Sequence, residues 1–324
     1  MKTIHRAAAA AFAACISIGA MAQDAWPTHP INMIVPFPPG GVADTVGRPV
    51  AESMGRHLGQ SVVIENRAGA GGGIGMAAAS RAAPDGYTVL MALSSISIIP
   101  EADKILGRQP MYQLDQFVPI ARITADPTVL VVAADSPWKT AEEFFEAAKN
   151  GSKQIYYGSS GNYGTMHVPM EMLRNQAGLK QLTHVPFSGA GPAVVALLGG
   201  QVQALSTGPA SVLQHIKAGK VRALAHWGEG RLQALPEVPS LTELGHPVTF
   251  AQWSGVFVPA GTPAPVVQKL REAARAAAND DKVRATIEGA GSPILYLDAP
   301  EFEAYWHNDA KQVTEAVRQI GKVE

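Results

Sequence analysis

At 324 residues, with 26 Lys and Arg against 27 Asp and Glu, the chain carries a formal charge of −1. That balance excludes the basic footprint of a nucleic-acid binder, and no uninterrupted apolar stretch reaches the roughly 18 residues that would cross a bilayer. A single cysteine rules out a disulfide framework, so stability must come from core and size.

The first residues do not belong to the fold. Lys2 and Arg6, the apolar run Ala7 to Ala20, and the small-x-small sequence Ala20-Met21-Ala22 have the form of a secretory leader. Cleavage is expected after Ala22, and it removes Cys15. A lipoprotein would need Cys15 as its acylated residue, but Phe12-Ala13-Ala14 matches poorly and the apolar run continues past it. Without Lys2 and Arg6 the balance is 24 against 27, a charge of −3. About 300 remaining residues exceed what one core usually supports, which favours two domains.

The apolar run Ile31 to Val35 reads as a strand, and Val46, Val50, Met54 and Leu58, four apart, as a helix. Between them lies Pro36-Phe37-Pro38-Pro39-Gly40-Gly41-Val42-Ala43-Asp44. A loop there sits at a helix N-terminus, where unpartnered N–H groups and the peptide dipoles favour an anion. Gly40 and Gly41 allow close backbone approach, while three prolines hold the loop stiff. The alternative is a plain turn without a ligand.

Val62-Val63-Ile64 is the next strand, followed by the glycine cluster Asn66 to Gly73 and a small-residue helix, Ile74 to Ala82. After Pro84-Asp85-Gly86, Thr88 to Ala92 forms a third strand. The order βαβαβ implies a parallel sheet covered on both faces. The glycines fail the G-x-G-x-x-G spacing and no phosphate-loop Gly-Lys-Ser/Thr occurs, so they read as close helix-to-sheet packing and no nucleotide cofactor is expected. Ser94, Ser95 and Ser97 follow at the carboxyl edge of the sheet, where open α/β folds bind ligands; a serine-capped helix start is the other reading.

Two apolar runs, Val118 to Ile123 and Val129 to Ala133, flank Ala125-Asp126-Pro127, and a long strand broken there would cross between domains. Thr140-Ala141-Glu142-Glu143 is a capping box opening a helix with Phe144, Phe145 and Ala148 on one face. A second unit then repeats the first. Strand Ile155 to Tyr157 leads into Gly158 to Thr165 and a helix from Met166 to Gln176, making a cradle of Ser160, Gly161, Gly164 and Thr165. Leu182 to Val185 leads into Phe187-Ser188-Gly189-Ala190-Gly191 and a helix with Pro192 in its first turn. Val202 to Leu205 leads into Ser206-Thr207-Gly208-Pro209. The strand Val221 to His226 is read as the return crossing. A strand at Val256 to Val258, a helix opened by Thr262-Pro263, and a last helix carrying Phe302, Tyr305, Val313, Val317 and Ile320 complete the chain.

No G-x-S-x-G elbow and no H-E-x-x-H is present. Ser160, His167 and Asp44 compose a triad only on paper, because nothing in the sequence orients the histidine, and His167 otherwise reads as a packed or capping residue. The helix-start loops contain no Arg or Lys. A carboxylate would therefore be held by N–H groups, hydroxyls and waters, at a lower desolvation cost than a buried ion pair.

Six segments together resemble the Bug family, periplasmic solute receptors of tripartite tricarboxylate transporters. They are Pro36 to Gly41 with Asp44, Glu65 to Gly72, Pro84 to Thr88, Gly158 to Gly161, Gly199-Gly200-Gln201-Val202 and Pro259 to Thr262-Pro263. The resemblance covers essentially the whole mature chain. It implies a two-lobed periplasmic binding protein fold of type II-like form, each lobe a mainly parallel sheet flanked by helices, joined by two crossover strands. It also implies a periplasmic location, a small organic carboxylate gripped by the loops matching Phe37 to Asp44, Ser160 to Thr165 and Phe187 to Gly191, and delivery to the membrane subunits of the transporter. The resulting expectation is a monomer without cofactor or catalytic residue, with domain 1 at 23–125 and 227–324 and domain 2 at 126–226. Ligand contacts are expected from Phe37, Gly40, Gly41, Asp44, Ser94, Ser95, Ser160, Gly161, Gly164, Thr165, His167, Phe187, Gly189, Ala190 and Thr207. An exported enzyme acting on a small carboxylate and a ligand-presenting sensor adaptor are the alternatives.

The sequence departs from the family pattern at Phe187-Ser188-Gly189, where Tyr-Lys-Gly is frequent, at Ser206 to Pro209, and at His226-Trp227. A less polar pocket edged by Phe187 and Trp227 would suit an aromatic acid of benzoate or phthalate type. Trp227 as hinge packing is the other reading. Pro49 removes the N–H that would bond Thr45, so the first helix is expected to kink or start late.

Overall fold

The computed structural model describes residues 26–323; the expected leader, its cleavage after Ala22 and Cys15 lie outside them. The chain opens with β1 (Ile31–Val35), α1 (Val42–Leu58), β2 (Val62–Asn66), α2 (Gly73–Ser80), β3 (Thr88–Leu93) and α3 (Ser95–Ile105). It continues through β4 (Phe117–Pro127), β5 (Val129–Ala133), α4 (Ala141–Asn150), β6 (Ile155–Ser159), α5 (Val168–Ala177), β7 (Leu182–Pro186) and α6 (Ala190–Leu198). The remainder is β8 (Ala204–Thr207), α7 (Leu213–Lys217), β9 (Val221–His226), β10 (Ala251–Pro259), α8 (Ala264–Ala278), α9 (Asp281–Gly289), β11 (Ile294–Asp298) and α10 (Ala299–Ile320). Among these residues no helix is long and apolar enough to cross a membrane.

These elements build two lobes, each a sheet flanked by helices. The first sheet has the order β11-β4-β10-β3-β1-β2 and the second β7-β6-β8-β5-β9. Both are mixed. The βαβαβ order does give parallel β1, β2 and β3, and β6 likewise runs parallel to β7 and β8. The antiparallel pairings come from the crossings. A strand returning from the far lobe must run against the one that left, so β10 lies antiparallel between β3 and β4, and β5 antiparallel between β8 and β9.

The connection between lobes is short and buried. β4 runs unbroken through Asp126 to Pro127, and the chain interrupts its pairing only at Thr128 before β5. The return path passes Trp227, whose N–H donates to the Thr128 carbonyl at 2.9 Å and whose carbonyl accepts from Phe250 N at 3.0 Å. Trp227 is fully buried, and its indole Nε1 donates to the Pro169 carbonyl at 3.1 Å, which ties the crossing to the start of α5. Of the two readings open for this residue, hinge packing is the one observed.

Core packing follows the apolar periodicity. The buried stripe of α10, Phe302, Trp306, Val313 and Val317, lies against the first sheet. Gly255 of β10 is required there, because a Cβ on it would fall 2.4 Å from the Phe302 ring. Three expectations change. α1 starts at Val42 and runs through Pro49 to Leu58, so it does not start late. β10 begins at Ala251, five residues before the apolar run Val256 to Val258 that announces it, because its first half is a mixture of polar and apolar residues buried on both faces. The short helix α9 and edge strand β11 were not evident from the sequence at all.

Trp227→Ala should lower unfolding free energy by about 3–5 kcal/mol, the usual cost of emptying a large buried aromatic site. Trp227→Phe, which keeps most of the ring but removes the indole N–H bond to Pro169, should cost about 1 kcal/mol more than its volume loss alone. Guanidinium denaturation of the two variants beside wild type checks both figures.

Candidate functional site

The site forms where two helices from opposite lobes begin. α1 and α6 both have glycine at the N-cap, Gly41 and Gly189, the position where Ser, Thr, Asp or Asn normally supplies a capping oxygen. Neither helix has a side-chain cap. In α1 the Asp44 N–H bonds back to the Gly41 carbonyl, while the N–H groups of Val42 and Ala43 find no backbone partner among the described residues. In α6 the third position is Pro192, which has no N–H to satisfy, leaving those of Ala190 and Gly191. The two starts face one another closely: a Cβ on Gly41 would lie 3.7 Å from that of Ala190, and one on Gly189 would strike Pro38 at 2.3 Å. Each terminus carries roughly half a positive charge, so the crevice between them is built for an anion.

Among the described residues the Ser160 hydroxyl and the Gln252 side-chain oxygen, which line this crevice, have no hydrogen-bond partner, and the same holds for the buried hydroxyls of Ser94, Ser95 and Thr207 at the ends of the neighbouring strands. Native structures leave few such groups unpaired, and their clustering at the mouths of β3, β6 and β8 points to a polar guest. Phe37, Gly41, Val42, Ala43, Leu93, Ser160, Thr165, Met166, Ala190 and Gln252 line the space directly. In the conformation described, that space leaves only about 10 Å³ for the centre of a water molecule. That is room for about one water. A wider groove of about 450 Å³ beside Arg48, Glu52 and Val62 lies on the first lobe and gathers none of these groups.

The first loop is held from behind. Asp44 accepts from Gly40 N at 3.1 Å and from Arg48 at 2.7 and 3.0 Å, and Asn66 Nδ2 spans the Asp44 carboxylate at 3.0 Å and the Phe37 carbonyl at 2.9 Å. Burial alone would raise the Asp44 pKa, but the bonds from Arg48, Asn66 and Gly40 outweigh it and hold the carboxyl below its ordinary value. One oxygen holds the Gly40 N–H directly and the other holds Asn66, which in turn holds the Phe37 carbonyl, so Asp44 acts on the crevice by fixing the shape of the loop.

The second-lobe cradle closes against the glycine cluster of the first lobe. Gly161 has φ +114°, and a Cβ there would meet Gly71 N at 2.9 Å, so only glycine fits. Gly164 packs on the Ser160 hydroxyl, where a Cβ would stand at 2.7 Å. Ser206 donates to the Met166 carbonyl at 2.8 Å and steadies the end of the cradle. Tyr163, in the left-handed region at φ +55°, donates its hydroxyl to the Gly321 carbonyl at 2.8 Å and accepts from Val323 N at 2.9 Å. The segment after α10 thereby crosses the seam to the other lobe.

Two expected site residues are placed elsewhere. Phe187 is partly buried and packs its ring against the second lobe's core, 3.2 Å from the position a Cβ on Gly158 would take, beside Val202 and Leu205. His167 is fully buried at the N-cap of α5, its Nδ1 accepting from Tyr163 N at 2.9 Å and its ring stacked on His184 at 4.0 Å. Burial and nearby Arg174 push His167 down to about 3, and burial with the His167 neighbour does the same to His184. The Ser160 hydroxyl has no partner and Asp44 is bonded to Arg48, so Ser160, His167 and Asp44 form no relay. Gln252 was missed by sequence reasoning. It sits on the half of β10 whose pattern gave no strand signal.

Comparison with known proteins gives the family and the fold. The model of the tripartite tricarboxylate transporter family receptor matches residues 46–322. The solved periplasmic binding protein BugD is 32% identical with a TM-score of 0.86, over 91% of this chain and 98% of that one. MatC from Rhodopseudomonas palustris, solved with bound malate, is 29% identical with a TM-score of 0.83, over 90% of this chain and 100% of that one. Rpa4515 from R. palustris, solved with adipate, is 26% identical with the same TM-score, over 90% and 98%.

The two histidines give a pH signature. Their folded pKa values near 3 lie below the ordinary 6.5, so the unfolded chain binds more protons between these limits and stability must fall as pH drops from about 6.5 toward 3. The loss is at most about 1.4 kcal/mol per pH unit for each group. His184→Gln should flatten this slope in melts run from pH 7 to 4, and an unchanged slope would mean that the pair is not buried neutral.

Proposed function

Because this chain belongs to the tripartite tricarboxylate transporter receptor family, the Bug solute-binding proteins, we propose that it captures a small organic carboxylate between its lobes and delivers it to the membrane subunits of such a transporter. The observation that carries this reading is the facing pair of uncapped helix starts ringed by unpartnered hydroxyls. A carboxylate supplies the negative charge and the acceptor oxygens that both features lack. The protein works in the periplasm as a monomer, after cleavage behind Ala22. Its lobes comprise 23–125 with 227–324 and 126–226, a division supported by the change of sheet after Pro127 and again after His226.

The ligand is a short aliphatic acid. An aromatic acid has only Phe37 to stack on, since Phe187 and Trp227 are turned into packing. Malate and adipate, bound in MatC and Rpa4515, are aliphatic. Entry requires the lobes to part, because the closed crevice holds no more than a water. Thr128 and Trp227, side by side between the sheets, are the natural pivots, and closing on the ligand completes the site.

A thermal-shift screen over aliphatic mono-, di- and tricarboxylates with benzoate and phthalate tests the proposal, since a ligand that binds only the folded state raises the melting temperature. At least one aliphatic acid should raise it. Ser160→Ala and Thr207→Val should each weaken that acid roughly tenfold, about one hydrogen bond apiece. No shift with any acid sinks the receptor reading, and a shift with the aromatic acids alone sinks its aliphatic part. Small-angle scattering of the ligand-free protein should give a larger radius than the closed structure, contracting when the acid is added.

A further inference from the structure

Gln252 has no structural duty. Its side chain is 3% exposed and its oxygen has no hydrogen-bond partner among the described residues. Trp253, the next residue on β10, points into the α10 packing, where its Nε1 reaches Asp309 at 2.8 Å. Alternation along the strand turns Gln252 the other way, into the crevice. There it stands across from the second lobe, 3.3 Å from the position a Cβ on Gly208 would occupy.

Asp126, paired with Gln252 across β4 and β10, keeps one carboxyl oxygen without a partner among the described residues. The hydroxyls of Ser94, Ser95, Ser160 and Thr207 rotate to donate or accept as the guest demands. A carboxamide does not adapt in this way. It presents one acceptor and one donor side by side, and turning it over only exchanges their places. A bare carboxylate has only acceptors, so it can satisfy the amide N–H while the carbonyl stays buried and unpaired. The guest must therefore bring a donor next to its carboxylate. An ammonium group is the wrong donor. Two helix N-termini make the crevice positive, the carboxylate of Asp44 is spent on Arg48, Asn66 and Gly40, and burial of Asp126 opposite Gln252 raises its pKa to about 7 and so disfavours its charged form. A hydroxyl is neutral and meets both demands.

We propose that Gln252 is a specificity residue selecting a hydroxylated carboxylate, its amide N–H donating to the carboxylate and its oxygen accepting the hydroxyl proton. This rests on the reading of the crevice as a carboxylate site. Isothermal titration with matched pairs tests it: propionate against lactate, succinate against malate, glutarate against 2-hydroxyglutarate, with aspartate as the amino counterpart of malate. Wild type should prefer the hydroxylated member of any pair it binds by roughly tenfold or more, the penalty for a stranded buried acceptor. Gln252→Met, of similar shape without hydrogen-bonding groups, should weaken both members of a pair, the hydroxylated one roughly tenfold more, and so bring that ratio near one. Equal binding of both members by wild type, tighter binding of aspartate than malate, or an undiminished ratio in Gln252→Met each overturns the assignment. If the variant does not fold, as judged by circular dichroism, the wild-type ratios decide alone. If none of the seven acids binds wild type at millimolar concentration while another acid raises the melting temperature, the assignment of Gln252 fails and the carboxylate reading stands; if no acid binds at all, both fail.

Discussion

Two helix dipoles pointed at each other across a gap repel, and the site depends on that repulsion. With glycine at both N-caps, α1 and α6 carry unneutralised positive ends into a crevice narrow enough for their backbones to touch. Each end is worth roughly 0.3–1 kcal/mol toward a negative group. The chain forgoes the stability that Ser or Asp caps would give and leaves the interaction to a guest. The rigidity of the first loop follows from the same constraint. Amides that must meet an anion cannot also collapse onto one another, so Asp44, Arg48 and Asn66 brace the loop from its outer side and the prolines stiffen it within.

The hinge has a complementary logic. A crossing made of single unsupported strands would let the lobes drift in many directions. Here the outgoing and returning strands pair with each other through Asp126 and Gln252, and at the point of change Trp227 bonds to Thr128 and to Pro169. If the lobes move as proposed, motion is confined to bending about one buried ribbon, and Gln252 lies on it. The proposed recognition and closure would then share residues of β10.

Much of this was legible beforehand. Helix starts announced themselves through glycine, proline and serine at strand ends, and the crossing near Ala125 to Pro127 through a broken apolar run. What failed to show had physical causes. The first half of β10 is buried on both faces, so polar and apolar residues mix without the alternation that marks a half-exposed strand. Phe187 looked like a pocket aromatic because it follows a strand at the right edge of the sheet. Which way its ring turns depends on Gly158 leaving a hollow beneath it, a contact between residues 29 apart. Pro49 suggested a late start, yet α1 begins before it at Val42; tertiary packing of Val46, Val50 and Met54 outweighs one lost hydrogen bond.

The strap formed by Tyr163 and residues 321–323 has a practical side. It joins the tail behind α10 to the cradle of the opposite lobe through two hydrogen bonds on one phenol. Any purification tag or fluorescent reporter appended there begins at the moving seam. A bulky or charged fusion would compete with the phenol and bias the molecule toward its open form, so affinities measured on such a fusion would describe the appendage as much as the receptor.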